Sequence, residues 1–392
     1  MTHPMFDDYS VTDPNTAMHG MTETVSAYEP TMKALFVNTY DEVRVLLRER
    51  SLQNAKISDP LMGMLPPEQY ELHRPIKEFL ALWPLFSHGD HHEALKEGLR
   101  PAFTNAALEP VLDSARTRCA ELVEQARAAG TVEWVGGFAY PFARHLIAAL
   151  FGVPEPRLRP AVAAAEGIVQ YMAKPLSLTD DDLALTTRKA LDALRSEIHG
   201  TVLATGQGPA TEALRAIEAS PGLGPESAVA AAAQILTGSL DPLAALLTDA
   251  VRHWGRAEEQ RDHDADALTE ETLRLGCPFR FVQRHVSAPL TVDGHELRRG
   301  DRILLGLGPG NLDPRHFSDP LAFRPGDDRL AHLSFGFGPH YCPGAALARG
   351  SITALFDELR RTGAVVSTDE AELRRSPYLS VGKVLALPVT FR

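Results

Sequence analysis

Of the three cysteines in this 392-residue chain, Cys119, Cys277 and Cys342, one is framed for chemistry. Residues 335–344 read Phe-Gly-Phe-Gly-Pro-His-Tyr-Cys-Pro-Gly, so three glycines bracket Cys342. Glycines let a backbone turn tightly and approach a planar group closely. No pair of the three cysteines has metal-finger spacing, which removes a zinc site. As a thiolate, Cys342 could serve as an axial ligand to haem iron, where its electron donation favours O–O cleavage. The residues that follow, Ala345 to Arg349, read as the start of a helix, whose N-terminal dipole favours a thiolate. The plainer alternative is a glycine-rich loop around a buried structural cysteine. Cys119 falls in the apolar stripe of a helix and Cys277 lies beside Pro278, so both read as packing residues.

Two further stretches carry chemically expressive residues. Glu271 and Arg274 are three apart and share a helix face. Buried together they would need each other, because either alone carries a large desolvation cost; the plainer alternative is an exposed helix pair. Residues 237–243 read Thr-Gly-Ser-Leu-Asp-Pro-Leu, with Asp241 the only carboxylate. Pro242 has no backbone N–H, so it frees the carbonyl of Gly238 and is expected to kink a helix there.

These residues must be positioned by a largely helical frame. Residues 33–40 alternate as a strand, and DEVRVLLRER after them reads as a short helix. Residues 58–90, rich in Met, Pro and His, read as a long excursion. From about 91 to 275 the pattern is helical. Residues 109–129 put Val111, Leu112, Ala115, Cys119, Leu122, Val123 and Ala126 on one face before Gly130. Residues 137–151 form a second apolar helix. Residues 179–204 open with Thr179 and three aspartates, an N-cap with an acidic first turn. Residues 226–253 are apolar nearly all round and should run through the core. From 279 onward short strands and turns take over. The expectation is mainly α with a smaller β-rich part (α+β), in one domain over 1–392. Its β-rich parts lie at about 33–40 and 279–305, and its helical core at about 91–275 and 343–362.

Composition narrows the class. With 44% hydrophobic and 23% charged residues, a large core can be buried. A net charge of −12 argues against nucleic acid or an anionic membrane as partner. The acidic, polar N-terminus has no signal-peptide pattern, and no apolar run reaches membrane-spanning length uninterrupted by charge, Gly or Pro. A reducing cytoplasm suits three scattered cysteines.

Taken together, the motifs resemble the bacterial-type cytochrome P450 family over nearly the whole chain. Phe335, Gly336, Gly338, His340, Cys342 and Gly344 are similar to the family's cysteine-ligand loop. Glu271-Thr-Leu-Arg274 is similar to its buried Glu-x-x-Arg helix, Asn311-Leu-Asp-Pro314 to its Asn-x-Asp-Pro segment, and Phe317 to Phe323 with Pro325 to the stretch before the loop. Each motif alone is weak; four in order are specific. The resemblance implies a triangular-prism fold with haem b between the long central helix and the cysteine loop. It implies Cys342 as the iron ligand, with Phe335 and Gly344 in the cofactor loop. Glu271 and Arg274 become a structural pair that pins the segment from Asn311 to Pro325. His92, Lys96, Arg284 and His340 become partners of the haem propionates, which want cations or hydrogen-bond donors. His92 and Lys96 are four apart, so one helix face can present both. The family more often has Arg where this chain has Lys96, and Lys offers a point charge in place of a fork.

The resemblance further implies a monooxygenase-like oxidoreductase using O2 and reducing equivalents. Its electrons would come from a ferredoxin-type donor docking behind Cys342, with Arg100 and Arg349 as candidate contacts. The substrate would be an apolar or aromatic small molecule or peptide in bacterial natural-product biosynthesis. The implied pocket spans 60–86, parts of 166–190, the central helix, 279–283 and 378–381. It includes Met62, Met64, Leu82, Trp83, Leu85, Phe86, Ile168, Tyr171, Met172, Phe281, Val282, Tyr378 and Leu379. One departure stands out. The family usually has an alcohol after the acid on the central helix, and here that position is Pro242. Gly238, Ser239, Asp241 and Pro242 therefore make an unusual catalytic stretch. Ser239 or a substrate hydroxyl could replace the alcohol, or the chemistry could be peroxide-driven or an oxidative C–C or C–O coupling. A haem sensor or carrier, or a partner-recruiting member without catalysis, are the competing classes.

Overall fold

Short-range sequence signals place most elements where the chain needs them. The structure is a computed structural model that describes residues 13–30, 32–54, 62, 64–173, 177–256, 258–326, 331–376 and 381–392. Its contacts divide the chain into two compact units. The first comprises the described residues of Met1–Gln53, Ala115–Ala143 and Asp241–Arg392; the second those of Asn54–Ser114 and Arg144–Leu240.

Among the described residues, the sheets all lie in the first unit. Ala34–Val37 is buried at every position, pairs antiparallel with Ser26–Glu29 and runs parallel to Arg302–Gly306. Phe281–Val286 and Leu52–Gln53 complete five strands. The alternation of Phe281–Val286 divides its side chains between two cores. Val282 and Val286 pack with Leu35, Val37, Ile303 and Leu305, while Phe281 packs with Met18, Phe36 and Leu304. Beyond this sheet, the hairpin Leu290–Val292/His295–Leu297 turns on Asp293-Gly294, both with positive φ, as a two-residue Asp-Gly turn requires. Three more strands, Thr131–Glu133, Pro388–Phe391 and Val366–Thr368, form a sheet that the sequence pattern did not anticipate.

Two helices of this unit carry most of the site. Ala265–Gly276 starts at Asp264, whose carboxylate accepts from the Ala267 N–H, and packs on Ala345–Arg361. It ends on Cys277 with φ +27. Glycine is the usual left-handed stop, but Gly276 is needed one position earlier. A Cβ there would stand 3.0 Å from Leu246 and 3.1 Å from the Asp249 carboxylate. Cys277 is consequently a buried, strained packing residue.

The second unit is helical. Glu155–Ala173 packs on Asp181–Glu197, and Pro67–Ala81 packs on the latter. Pro67–Ala81 lies inside the stretch expected to be an excursion, despite an internal Pro75. Its buried residues His73, Ile76 and Leu80 fall at spacings of three and four, a helical stripe masked by the Met, Pro and His content. The cap expected at Thr179 is instead Asp180, whose carboxylate accepts from Leu183 N–H at 2.9 Å; Thr179 ends a preceding 3₁₀ turn. Gly89–Leu99, the helix of His92, packs on Pro209–Ala219 so closely that a Cβ on Gly98 would meet Ile217 at 2.6 Å.

Gly224–Arg256 is shared between the units and continues as helix through Pro242. It is long and apolar enough to cross a membrane, yet 67% of its most apolar window is buried inside the protein.

Candidate active site

In the first unit the Cys342 loop is shaped by its own backbone. Gly336 N–H donates to Leu333 O, Cys342 N–H to Phe335 O at 2.9 Å, and Tyr341 N–H to Gly338 O. Gly336 and Gly338 both take positive φ, and a Cβ on Gly338 would press on Arg48 at 3.0 Å. The helix Ala345–Arg361 begins directly after Gly344. Burial pushes the Cys342 thiol up, while the Gly344 backbone N–H and the Arg349 charge work the other way. Of the three cysteines only Cys342 is partly exposed. Burial drives both others well upward, Cys277 to about 12.

Arg349 locks this loop to the neighbouring helix. Its guanidinium grips Glu270 through two bonds, 2.6 and 3.0 Å, lies over the Phe335 ring at 4.7 Å and donates to Tyr341 Oη. Burial works to raise Glu270, but His332 and Arg349 outweigh it and hold the carboxyl at about 2. A charge neutralised this way is a poor long-range attractor, which weighs against Arg349 as a docking cation. Arg100 is exposed in the turn Arg100–Phe103 of the second unit.

One residue on from Glu270, Glu271 and Arg274 are almost fully buried, at 1% and 3% exposure. Arg274 forks onto Glu271 at 2.7 and 2.8 Å. Its remaining N–H groups donate to the carbonyls of Asn311, Pro320 and Ala322, while Glu271 accepts from Arg324 N–H. Asn311 is wholly buried. Its amide donates to Arg274 O and Ser334 Oγ, and its carbonyl oxygen accepts from Leu333 N–H at 2.6 Å. The motif stretches at 271–274, 311 and 320–324 are thus one hydrogen-bonded block at the root of the cysteine loop.

Arg284 is the sharpest electrostatic feature. It rises from Phe281–Val286 on the face of Val282 and Val286, is 6% exposed, and burial lowers its guanidinium to about 10. Its hydrogen bond goes to Gln283 O, and among the described residues no carboxylate is paired with it. A buried, unanswered cation beside apolar surface fits an anionic ligand such as a haem propionate. His340 is half-buried at the end of the turn Gly338–His340. In the second unit His92 is buried with Nδ1 3.2 Å from Pro84 O, whereas Lys96 is exposed. One helix carries both, but with different surroundings.

On Gly224–Arg256 the expected catalytic stretch is largely occupied by structural bonds. The Ser239 hydroxyl donates to Ile235 O at 2.6 Å. Asp241 accepts from Tyr140 Oη at 2.5 Å and from Lys383 Nζ at 2.8 Å. Gly238 is exposed, and a Cβ there would meet nothing within 4 Å, leaving room for a ligand beside its free carbonyl. Neither Tyr140 nor Lys383 carries a sequence signal of partnership, since both lie more than a hundred residues from Asp241.

Several residues expected to line a pocket belong to the core. Trp83 stacks with Phe86 and meets Phe79 edge-on, Tyr171 hydrogen-bonds His73, and Ile168 is fully buried. Phe281 packs edge-on to Phe36. Met64 and Leu85 are exposed; Met62, Leu82, Phe86, Met172 and Val282 are intermediate. Tyr378 and Leu379 lie outside the described residues.

Comparison with known proteins adds an independent line. The cytochrome P450 family pattern matches residues 265–359. The chain is 26% identical to the cytochrome P450 BJ-1 homolog of Sinorhizobium fredii, over 87% of this chain and 86% of that protein. It is 24% identical to the biotin biosynthesis cytochrome P450 of Bacillus subtilis, over 94% and 95%. Among solved structures it aligns with P450BioI bound to an acyl carrier protein ligated to hexadec-9Z-enoic acid, with TM-score 0.82 and 21% identity over 97% of this chain and 100% of that one. CalO2 aligns with TM-score 0.85 and 19% identity over 99% and 98%. At these identities the structural likeness speaks for the fold.

Proposed function

The chain belongs to the cytochrome P450 family in its bacterial form, and on that premise we propose that it is a haem-thiolate oxidoreductase of natural-product biosynthesis, acting on an apolar or aromatic small molecule or peptide. The observation that supports this best is the presence, in one unit, of a partly open Cys342 on a glycine-hinged loop and a buried Arg284 with no carboxylate among the described residues. Haem b is the cofactor we assign. When bound it supplies the activation of dioxygen. Cys342 would hold the iron, with Phe335 and Gly344 in its loop. Arg284 and His340 would answer the propionates, and His92 and Lys96 are assigned the same role on the family resemblance alone. Glu271 and Arg274 take a structural role. Two relatives are named for biosynthesis, of biotin and of a polyketide, and this supports a tailoring role here. A ferredoxin-type donor and a cytoplasmic location complete the proposal.

A spectrum of the reduced, CO-bound protein tests the assignment. Thiolate ligation shifts the Soret band far to the red, and Cys342→Ala should abolish that shift. A retained shift in the variant, or none in the parent protein, overturns the reading.

A second chemistry has a specific observation behind it. Pro242 removes the usual alcohol, and the Ser239 hydroxyl donates to its own helix. Peroxide-driven turnover or oxidative coupling, which lean less on a protein-held proton relay, are therefore the alternative to O2-dependent hydroxylation. Comparing product formed with O2, NADPH and ferredoxin against product formed with hydrogen peroxide separates them.

A further inference from the structure

Asp241 and Asp249 stand eight residues apart on Gly224–Arg256, a little over two turns, so their side chains leave the helix roughly 80° from each other. Both are answered by cations from one strand pair, Arg374–Arg375 with Val384–Ala386. Lys383 Nζ is 2.8 Å from Asp241, and an Arg375 N–H donates to Asp249 at 3.1 Å. Arg375 lies opposite Val384, and Ser376 N–H donates to Lys383 O, so the two cations leave adjoining points of the strand pair and splay to carboxylates two turns apart. The segment leading into this strand pair also reaches the chain just before Phe281–Val286. Val381 bridges Phe279, and Gly382 N–H donates to Pro278 O at 2.7 Å.

The two grips differ in kind. The Asp249 and Arg375 side chains are 6% and 11% exposed, and Asp249 also binds Arg252 at 2.6 Å, which in turn binds Glu370. Burial works to raise Asp249, but Arg375 and Arg252 hold it down at about 2. The Asp241 and Lys383 side chains are 35% and 40% exposed, where salt screens an ion pair. Besides Lys383, the Tyr140 hydroxyl donates to Asp241 there.

We propose that Arg375 and Lys383 are positioning residues that clasp this strand pair to the helix, Arg375 as a permanent buried anchor and Lys383 as a salt-sensitive pin whose acceptor is Asp241. The clasp sets where the segment around Phe279 and Val381 stands relative to the helix's Asp241–Asp249 stretch. It thereby sets the fit of ligands in the haem pocket, and to that extent it rests on the haem-thiolate reading above. Asp241 is on this account a positioning residue first.

The experiment uses the full-length holoprotein, amide exchange read by mass spectrometry, and 4-phenylimidazole as a pocket probe titrated by its Soret shift. Lys383→Met should speed exchange across residues 381–387 by about five-fold and weaken 4-phenylimidazole by a similar factor, the scale of one partly exposed ion pair. Its reduced, CO-bound spectrum should stay that of the parent. Lys383→Arg should keep both values, and Asp241→Lys with Lys383→Asp should recover most of the loss. High salt should loosen residues 381–387 in the parent while leaving Arg374–Ser376 protected. Parent-like exchange and affinity in Lys383→Met overturn the clasp, whatever Arg375→Met does. A parent protein that moves as expected in exchange but lacks the thiolate spectrum upholds the clasp and sinks the haem reading, so the two failures are distinct.

Discussion

Two carboxylate–cation pairs in the same unit illustrate opposite uses of charge. Glu271–Arg274 is dry, forked and surrounded by carbonyls that take every remaining guanidinium proton direction. Asp241–Lys383 is single-pronged and over a third exposed on each side. The first cannot lose a partner without stranding a charge where water does not reach. The second can open into water at little cost. A buried pair therefore suits a fixed root for the cysteine loop, and an exposed pair suits a part that has to yield.

The comparison breaks most visibly at Arg274. Arg274→Ala leaves Glu271 buried and alone, and should cost roughly 3–5 kcal/mol. Little soluble haem-loaded protein should be recovered, as measured by haem content per chain and thermal unfolding; a stable, loaded variant contradicts the structural role. Asn311→Ala orphans Leu333 N–H and the Arg274 carbonyl and should cost about 2–3 kcal/mol, read as a drop in the urea midpoint. A shift near zero would show that water enters the block.

Acid sharpens the contrast through Asp249. Its folded value, about 2, lies below the unfolded one near 3.8. The stabilisation is fully present above about pH 4 and is lost as pH falls through 2; it amounts to roughly 2 kcal/mol. Asp249→Asn should thus be less stable than the parent at pH 7 and approach it near pH 2, in urea midpoints taken across that range. A constant gap would assign the effect to packing. The smallest change belongs to Lys383→Met, at most about 1 kcal/mol in stability and shrinking with salt. A loss as large as that of Arg274→Ala would erase the distinction between the two pairs.

The cysteine loop was readable because its chemistry is local. Gly336, Gly338 and Gly344 stand in sequence around Cys342, and two of the three take the backbone conformations or close approaches that glycine permits. Glu271 and Arg274 were readable because helix spacing alone makes them neighbours. The helix Pro67–Ala81 was missed because its composition suggests a loop, although His73, Ile76 and Leu80 carry its period. The strands beyond residue 360 are two to four residues long, too short for alternation to register.

Sequence by itself determined which side chains can do chemistry here, the helical frame that carries them and the family resemblance, since these depend on residue type and on spacings of a few residues. Only the tertiary structure decided their partners. Arg349 is held by Glu270, 79 residues away, Asp241 by Tyr140 and Lys383, at 101 and 142, and Arg284 is buried with no carboxylate among the described residues. Those pairings arise from strand and helix packing over long chain separations, where no local periodicity encodes which charge will meet which.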